Sequence, residues 1–492
     1  MRTGINGNWT AKKLAEYLGG EWLVAPEDVD WRAAYFVNHG SESNQSKDWP
    51  VSIIQNIPER LATSSIAFIV SEKNKDVFFQ KFTSDPRPVL CVADIKDTLF
   101  LLAKAGRNNF SGKLISTTVS VGKLSTKDMV SELLKKVGTV KHTLGSQNTL
   151  SGVQSVLASC VTKPDYAVIE IGSHVLEGRL TRTRELVAPN ISIITQVFMA
   201  NANELELHPD GERGVALSKA KIYEFMQPGG IAIMNREMSH FERVHAFALK
   251  QGVTPVTYGL SSSIGKGDAD VWILDICEDG DGKSGSIVRV NIYGEKFSFK
   301  IPFYGIGMAL NSLAALTCIY HLGLNVKEAA SYFASLTGSY HHQASVDVTL
   351  EDDATATIID DSFNAQPLSV LEAISVLKAK KMKPDGRKIA ILGDVAVYKD
   401  PKYAAGYFSF VMPLQKANFD KVYFVGKDIQ RLAEVLPPKQ VGGIFDTPKD
   451  AIEIIAAEIR PQDIVLVKVT SAGAAENNMA QNLIRCLNDR VN

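Results

Sequence analysis

The stretch STTVSVGKLSTKD (116–128) has the residue types of a phosphate-binding turn. It follows an apolar strand pattern, and a helical pattern begins after Gly122 and Lys123. Backbone N–H groups at a helix N-terminus, together with a lysine, can surround an anionic phosphate. The strict pattern also needs a hydroxyl directly after the lysine to hold Mg²⁺, but Leu124 stands there and Ser125 comes one position later. The alternative is an ordinary strand, turn and helix with a lysine on the surface.

The composition favours small molecules as partners. The 492 residues suggest about three domains of roughly 150 residues each. Lys and Arg number 53 and Asp and Glu 54, and this net charge of −1 argues against a nucleic-acid surface or a polybasic membrane patch. Because we find neither a secretory leader nor an apolar run of about 18 residues, we predict a cytoplasmic protein without membrane insertion. The five cysteines lack CxxC spacing, which favours reduced thiols, and the oligomeric state stays open.

Short apolar runs alternate with helix-length amphipathic stretches such as 125–137 and 211–226. This alternation predicts an α/β fold with parallel sheets covered by helices on both faces. A turn-rich segment near residue 340 and weaker periodicity before 105 predict domains at 1–105, 106–335 and 336–492. The predicted strands are KLIST (113–117), YAVIEIG (166–172), ISIITQV (191–197), GIAIMN (230–235), DVWILDI (270–276), ATIIDD (356–361), KIAILGD (388–394), KVYFVG (421–426) and DIVLVKV (463–469).

A series of motifs, in the correct order, resembles the Mur ligase family from about residue 85 to residue 475. The most specific is IIDDSFNAQPLSVLEAISVL (358–377), which is similar to the D-D-S-Y-N-A-N-P signature of that family. TLGSQNTLSGV (143–153) is similar to T-x-G-N-x-N-N-x-x-G-V, and VALSKAKIYEFM (215–226) is similar to A-K-G-E-I. Further matches are VIEIG (168–172), GGIAIMN (229–235), NSLAAL (311–316), AILGDV (390–395) and DIVLVKV (463–469).

The resemblance implies three domains. A central P-loop-type parallel-sheet domain would lie between an N-terminal substrate-binding-like domain and a C-terminal Rossmann-like domain. It also implies a ligase that uses ATP and Mg²⁺ to join a carboxylate to an amine. In such a reaction the carboxylate attacks the γ-phosphate and the amine captures the acyl phosphate, so positioning and charge neutralisation supply most of the rate. A UDP-sugar peptide and D-alanyl-D-alanine are the substrates that the resemblance suggests, and peptidoglycan biosynthesis is the pathway.

The resemblance also assigns roles to individual residues, each by its match to a family motif. The catalytic candidates are Lys123, Lys219, Asp361 and Asn364. The candidate metal ligands are Glu170, Lys219, Ser125 and Asn201, with Lys219 matching a lysine that reacts with CO₂ to become a carbamate. The candidate nucleotide-binding residues are Ser120, Gly122, Lys123, Ser125, Asn235, Asn311, Asp360, Asp394 and Lys468. Asn148 matches an asparagine that faces the substrate.

Several of these assignments have a simpler alternative. Glu170 could be a solvated carboxylate at a strand end, and Lys219 could be a lysine on a helix surface. Two adjacent aspartates after an apolar strand, such as Asp360 and Asp361, can also cap the next helix. A carbamate requires a lysine that is neutral first, so that role predicts burial of Lys219.

The departures from the family pattern lie on the nucleotide side. Val119 replaces a glycine, and a β-branched residue neither adopts positive φ readily nor lets a phosphate approach as closely. Leu124 replaces the hydroxyl residue, and Asn201 replaces a metal-binding histidine. Met308 replaces the asparagine of G-R-H-N, and KVTS (468–471) replaces K-G-S-R.

Two hypotheses therefore remain open. In the first, the chain is a ligase that binds ATP in an altered pose, and its acceptor need not carry UDP. The segment DWRAAYFVNHGSES (30–43) keeps Asp30 and Arg32 of the family's uridine-diphosphate segment but lacks its glycine turn. In the second, the chain is a catalytically silent homologue that acts as a binding or partner subunit.

Overall fold

The computed structural model describes most of the chain and divides into three α/β units. The described residues are 9–38, 50–118, 123–145, 147–177, 186–197, 210–261, 269–278, 285–336, 344–350, 354–362, 365–395, 398, 404–470 and 478–491. Each unit is built on its own β-sheet. This architecture confirms the α/β class.

The N-terminal unit contains a five-stranded sheet in the order β2-β7-β6-β5-β4, in which only β2 runs antiparallel to its neighbour. A separate antiparallel pair joins β1 to β3. The elements are β1 (Trp9–Thr10), α1 (Ala11–Leu18), β2 (Glu21–Val24), β3 (Arg32–Ala33), β4 (Phe36–Asn38), β5 (Val51–Ile53), β6 (Ala67–Ser71), α2 (Lys75–Lys81), β7 (Val89–Val92) and α3 (Thr98–Asn109).

The central unit contains a nine-stranded sheet in the order β16-β15-β14-β13-β12-β11-β8-β10-β9. Its elements are β8 (Lys113–Thr117), α4 (Lys123–Leu134), β9 (Val140–His142), α5 (Leu150–Ser159), β10 (Tyr166–Glu170), α6 (Ser173–Glu177), β11 (Ile191–Ile194), α7 (Glu212–Ala220), β12 (Ile231–Asn235), α8 (Phe241–Lys250), β13 (Thr254–Leu260), β14 (Val271–Glu278), β15 (Ser286–Ile292), β16 (Glu295–Ile301), α9 (Ile306–His321) and α10 (Val326–Tyr332).

One edge of the central sheet is antiparallel, which the strand pattern did not predict. Strands β8 to β14 run parallel, whereas β14, β15 and β16 alternate in direction. Only Tyr293 and Gly294 join β15 to β16, and both have positive φ, 49° and 91°. A two-residue turn of this kind can join only antiparallel neighbours, because a parallel pair needs a long crossover.

The C-terminal unit contains a six-stranded sheet in the order β17-β18-β22-β19-β20-β21, in which only β17 is antiparallel. Its elements are β17 (Ala344–Thr349), β18 (Thr355–Asp360), α11 (Pro367–Ala379), β19 (Lys388–Gly393), α12 (Val411–Ala417), β20 (Lys421–Val425), β21 (Val441–Phe445), α13 (Pro448–Glu458), β22 (Ile464–Lys468) and α14 (Met479–Val491). Short 3-10 helices lie at Cys160–Thr162, Lys221–Phe225, Phe333–Ser335, Ala404–Phe410, Ile429–Val435 and Pro438–Gln440.

The strand orders bring the charged residues to two strand edges. In the central sheet β8 lies between β10 and β11, and the register sets Glu170 beside Thr117. In the C-terminal sheet β22 lies between β18 and β19, and Lys468 is beside Leu392. Ligands of such sheets bind at the carboxyl ends of strands where the strand order reverses.

The three units are in direct contact. Helix α3 crosses α5 so closely that a Cβ at Gly106 would lie 2.0 Å from the carbonyl oxygen of Leu157. One apolar cluster contains buried residues of both the central and the C-terminal units, among them Ile194 and Ile359. Among the described residues, no helix is long and apolar enough to cross a bilayer. The domain boundaries at 105 and 335 stay predictions; residue 105 falls within α3.

A buried ion pair fixes the amino ends of the two strands that carry site residues in the C-terminal unit. The Arg387 guanidinium donates to both carboxylate oxygens of Asp463, at 3.1 and 2.6 Å, and the Asp463 side chain is 0% exposed. Arg387 precedes β19 and Asp463 precedes β22. We expect Asp463→Ala to lower the free energy of unfolding by about 3 kcal/mol, because it removes a fully buried carboxylate that accepts from the Arg387 guanidinium and from two backbone N–H groups. Chemical denaturation measures this change.

The control for that variant is Glu295→Ala. Glu295 pairs with Lys327 at 2.5 Å, but both side chains are more than half exposed, 55% and 56%. Such a pair contributes about 0 to 1 kcal/mol. Equal destabilisation by the two variants would contradict the role given to Asp463.

Candidate active site

The carboxyl end of β8 and the first turn of α4 enclose buried hydroxyls. The Oγ1 atoms of Thr117, Thr118 and Thr126 are buried and have no hydrogen-bond partner among the described residues. Buried polar atoms without partners are rare in proteins. Because the backbone N–H groups in the first turn of a helix have no partner within the helix, an anionic ligand would satisfy this region.

The turn itself is only partly described. Val119, Ser120 and Gly122 lie outside the described residues. Helix α4 begins at Lys123, but the side chains of Lys123, Leu124 and Ser125 are outside the described part. The predicted phosphate contacts of these residues therefore stay predictions.

Glu170 ends β10 with a buried carboxylate whose two oxygens differ. Its Oε1 accepts a hydrogen bond from the Asn148 side-chain amide at 2.9 Å, and its backbone N–H donates to Thr143 Oγ1 at 2.9 Å. Its Oε2 is buried without a hydrogen-bond partner in the described part of the chain, and the residue is 2% exposed. Since a buried carboxylate oxygen needs a cation or a donor, Glu170 fits the hard ligand set of Mg²⁺.

Lys219 lies on α7 and is directed at the same strand end. It is 1% exposed, and its Nζ donates to Ser173 Oγ at 3.0 Å. Ser173 begins α6, shortly after Glu170 in the chain. The burial that a carbamate requires is therefore present, although the carbamate itself stays a prediction. Asn201, the other predicted metal ligand, lies outside the described residues.

The described residues contain no cluster of three His, Cys, Asp or Glu side chains that could hold a metal ion. Mg²⁺ usually keeps several waters and binds through one or two carboxylates together with substrate phosphates. The residues present thus fit a metal ion that arrives with a nucleotide, with Glu170 as the protein carboxylate.

The second group of charged residues lies at the carboxyl ends of β18 and β22. Lys468 Nζ lies 2.9 Å from Asp361 Oδ2, and the two side chains are 3% and 8% exposed. Asp360 Oδ1 accepts hydrogen bonds from the Ser362 backbone N–H, at 3.0 Å, and from its hydroxyl. Asn364 lies outside the described residues. The two aspartates therefore differ, because Asp361 faces a cation while Asp360 stabilises its own turn.

The substituted segment KVTS contributes to this loop. Thr470 Oγ1 accepts a hydrogen bond from the backbone N–H of Ala365 at 2.9 Å. Ala365 follows the loop that begins at Asp361 and precedes α11. The threonine thus connects the end of β22 to the loop after β18.

The hydrogen bonds of the remaining predicted nucleotide-binding residues lie within their own units. Asp394 Oδ1 accepts hydrogen bonds from the backbone N–H groups of Asp428, at 3.0 Å, and Ile429, at 2.9 Å. Asn235 ends β12 and accepts from the Glu237 backbone at 2.9 Å. Asn311 is 8% exposed within α9. These contacts stabilise turns and helices, and they leave the predicted nucleotide contacts of all three residues untested.

Sequence analysis did not identify Glu372, a carboxylate of α11 that meets the central unit at the start of α9. Its Oε1 is buried without a hydrogen-bond partner among the described residues, and the carboxylate lies against the backbone of Gly307. A Cβ at position 307 would lie 1.6 Å from Oε1, so a larger residue there would displace this carboxylate. No sequence signal marks Glu372, because a glutamate on a helix is usually exposed.

The environment of Glu372 raises the pKa of its carboxyl group to about 7. Burial is the main cause, and the negative charge of Asp361 adds to it, while the Gly307 N–H and Lys468 act in the opposite direction. Between the ordinary pKa of 4.5 and the raised pKa of about 7, the folded protein therefore keeps a proton on Glu372 that the unfolded chain has already released. Stability must fall as pH rises through this window.

We expect Glu372→Gln to remove this pH dependence, because an amide does not ionise. The melting temperature of the variant, relative to the unsubstituted protein, should rise between pH 5 and pH 8. Glu434→Gln is the control, since Glu434 is exposed on its 3-10 helix. Parallel melting curves for Glu372→Gln and the unsubstituted protein across this range would show that the carboxyl group titrates normally.

Two family profiles match consecutive parts of the chain. The profile described as "Mur ligase middle domain" matches residues 118–319, and the one described as "Mur ligase, glutamate ligase domain" matches residues 348–469. Together they cover most of the central and C-terminal units, including Glu170, Asp361 and Lys468. The motifs found in the sequence thus belong to matches that extend over whole domains.

Individual proteins extend this similarity over most of the chain. The UDP-N-acetylmuramoyl-tripeptide:D-alanyl-D-alanine ligase of Rickettsia prowazekii is 24% identical over 78% of this chain and 81% of its own length, and that of Bacillus subtilis is 24% identical over 80% and 81%. The crystal structure of MurF from Acinetobacter baumannii has a TM-score of 0.73 at 21% identity and covers 97% of this chain and 99% of its own. MurF from Thermotoga maritima, solved in complex with ADP, has a TM-score of 0.65 at 17% identity, covering 90% and 98%. On the family profiles and these relatives, the chain belongs to the Mur ligase family.

Proposed function

We propose that the protein is an ATP-dependent ligase that joins a carboxylate to an amine through an acyl phosphate and releases ADP. The observation that carries this proposal is the buried carboxylate of Glu170, whose Oε2 has no partner among the described residues. It lies at the carboxyl end of β10, beside Thr117 of β8 and near the contact of Lys219 with Ser173. A buried carboxylate oxygen without a partner is costly, so the Oε2 atom of Glu170 favours a site that binds a cation.

The proposed reaction has two steps. A carboxylate oxygen of the acceptor attacks the γ-phosphorus, and the bond from that phosphorus to the β-bridging oxygen breaks as ADP leaves. The amine nitrogen then attacks the acyl carbon, the bond from this carbon to the phosphate oxygen breaks, and the amine loses a proton. Bound Mg²⁺ would supply charge neutralisation at the phosphates.

Residues of the central unit would hold the nucleotide. We assign the phosphates to the start of α4, with Lys123 as the cation and Ser120, Gly122 and Ser125 as neighbours. Glu170 would be the carboxylate ligand of Mg²⁺. Lys219 would be held by Ser173 at 3.0 Å, where its burial would favour the neutral amine that a carbamate requires.

The C-terminal unit would complete the site. The Asp361 and Lys468 pair is buried at 2.9 Å and lies at strand ends, where it can meet the nucleotide and the incoming amine. Closure of this unit on the central unit would exclude water from an acyl phosphate, which hydrolyses easily. The contact of Glu372 with the start of α9 supports such an approach of the two units.

The acceptor is the open part of the proposal. The relatives named above act on UDP-N-acetylmuramoyl-tripeptide and D-alanyl-D-alanine, and these are the first substrates to test. The guanidinium of Arg32, a uridine-diphosphate candidate, donates instead to the carbonyl oxygens of Trp31, at 2.8 Å, and Val29, at 3.3 Å. A carboxylate acceptor that does not carry UDP therefore stays an alternative. A cytoplasmic location stays a prediction.

Mg²⁺–ATP should stabilise the folded protein. At a ligand concentration about 100 times the dissociation constant, the gain is about 2.7 kcal/mol, measured as a rise in melting temperature. Lys123→Met and Glu170→Gln should each abolish the rise, because each removes a charge assigned to the phosphate and metal site. Lys113→Met is the matched control, since Lys113 is exposed at the opposite end of β8.

The outcome also separates the open hypotheses. A catalytically silent homologue gives no melting shift with Mg²⁺–ATP and no release of ADP. A shift that persists in both Lys123→Met and Glu170→Gln would contradict the site assignment. A ligase with a different acceptor binds Mg²⁺–ATP but releases ADP only when another carboxylate replaces the UDP-sugar peptide.

A further inference from the structure

Lys127 is a buried lysine of α4 that no motif assigned to the site. It follows Lys123 by one helical turn, so both lie on the same face of the helix. Its side chain is 0% exposed. A charged lysine is almost never buried completely unless it is paired, so its contacts carry information.

The ammonium group of Lys127 connects α4 to the segment that follows β9. Its Nζ donates to the carbonyl oxygens of Thr143, at 2.7 Å, and Gly145, at 2.9 Å, and lies 3.1 Å from Asp128 Oδ1. These three acceptors match the three N–H donors of an ammonium group. Lys127 therefore fixes the start of the segment 143–148 relative to α4.

The same segment holds Glu170 in place. Thr143 Oγ1 accepts from the Glu170 backbone N–H at 2.9 Å, and the Asn148 side-chain amide donates to Glu170 Oε1 at 2.9 Å. The carbonyl oxygen of Asn148 also accepts from the Gly172 backbone N–H at 2.9 Å. The position of the Glu170 carboxylate thus depends on the segment that Lys127 holds.

We propose that Lys127 is a positioning residue for the metal site: through the segment 143–148 it fixes the Glu170 carboxylate relative to the N-terminus of α4. This inference rests on the proposed function, because it concerns the same site. Lys127 acts through other residues and touches no reacting atom.

The test measures binding of Mn²⁺ by electron paramagnetic resonance, with a nonhydrolysable ATP analogue present. Lys127→Met keeps the volume of the side chain but removes the donors. We expect its affinity for Mn²⁺ to fall about 10- to 100-fold, as for other residues that orient a metal ligand. The control is Lys135→Met. Lys135 is an exposed lysine directly after the end of α4 that pairs with Glu132, so this variant should bind Mn²⁺ as the unsubstituted protein does.

A double-mutant cycle separates positioning from a general structural role. Asn148→Ala breaks the connection between Lys127 and Glu170 at the Glu170 end. The variant with both substitutions should therefore bind Mn²⁺ with about the affinity of whichever single variant binds it less tightly. Losses that multiply, or a Lys127→Met variant with a lower melting temperature but unchanged Mn²⁺ affinity, would overturn the inference. If Lys127→Met does not fold, Lys127→Gln is measured by the same criterion, since its amide is too short to reach both carbonyl oxygens.

Failure of the proposed function gives a different result. An unsubstituted protein that binds neither the analogue nor Mn²⁺ would refute the nucleotide site and the positioning role together. An unsubstituted protein that binds both, with Lys127→Met equal to it, would refute the positioning role alone.

Discussion

Buried charge is the constraint on which the site depends, because a charged group taken out of water must find an opposite charge or several hydrogen bonds. Glu170, Lys219, Lys127, Asp361 and Lys468 are all nearly or completely buried. Lys127, Asp361 and Lys468 meet this requirement with partners on neighbouring elements, and Lys219 donates to the Ser173 hydroxyl. Glu170 meets it at only one of its two oxygens within the described part of the chain, and this difference is the basis of the metal site proposed there.

The parallel sheets explain why these charges meet. Every parallel strand ends at the same edge of its sheet, so residues far apart in sequence become neighbours there. Glu170 and Thr117 are brought side by side by strand register, and Asp361 and Lys468 by the insertion of β22 next to β18. Enzymes that catalyse phosphoryl transfer act mainly by positioning and charge neutralisation, and charged side chains gathered at strand ends can supply both.

The central and C-terminal units also meet through charged groups. Glu372 reaches the start of α9, where Gly307 leaves space for it, and Lys380 Nζ lies 3.5 Å from the ring centre of Tyr304. The absence of a side chain at Gly307 and the position of the Glu372 carboxylate are thus complementary at this contact.

Apolar periodicity in the sequence was sufficient to predict all nine of the proposed strands, and the family resemblance identified Glu170, Asp361 and Lys468 at strand ends. Apolar periodicity did not predict β13, which contains Pro255, or β21, which contains Gly442 and Gly443, since proline and glycine are both unfavourable within strands. What the tertiary structure decided was which charges are buried. Lys127 and Glu372 both stand in ordinary helical patterns. The partner of Lys127 is Thr143, 16 residues away, and Glu372 lies against Gly307 of another unit. Only the packed fold could therefore show that these two side chains are buried near the site.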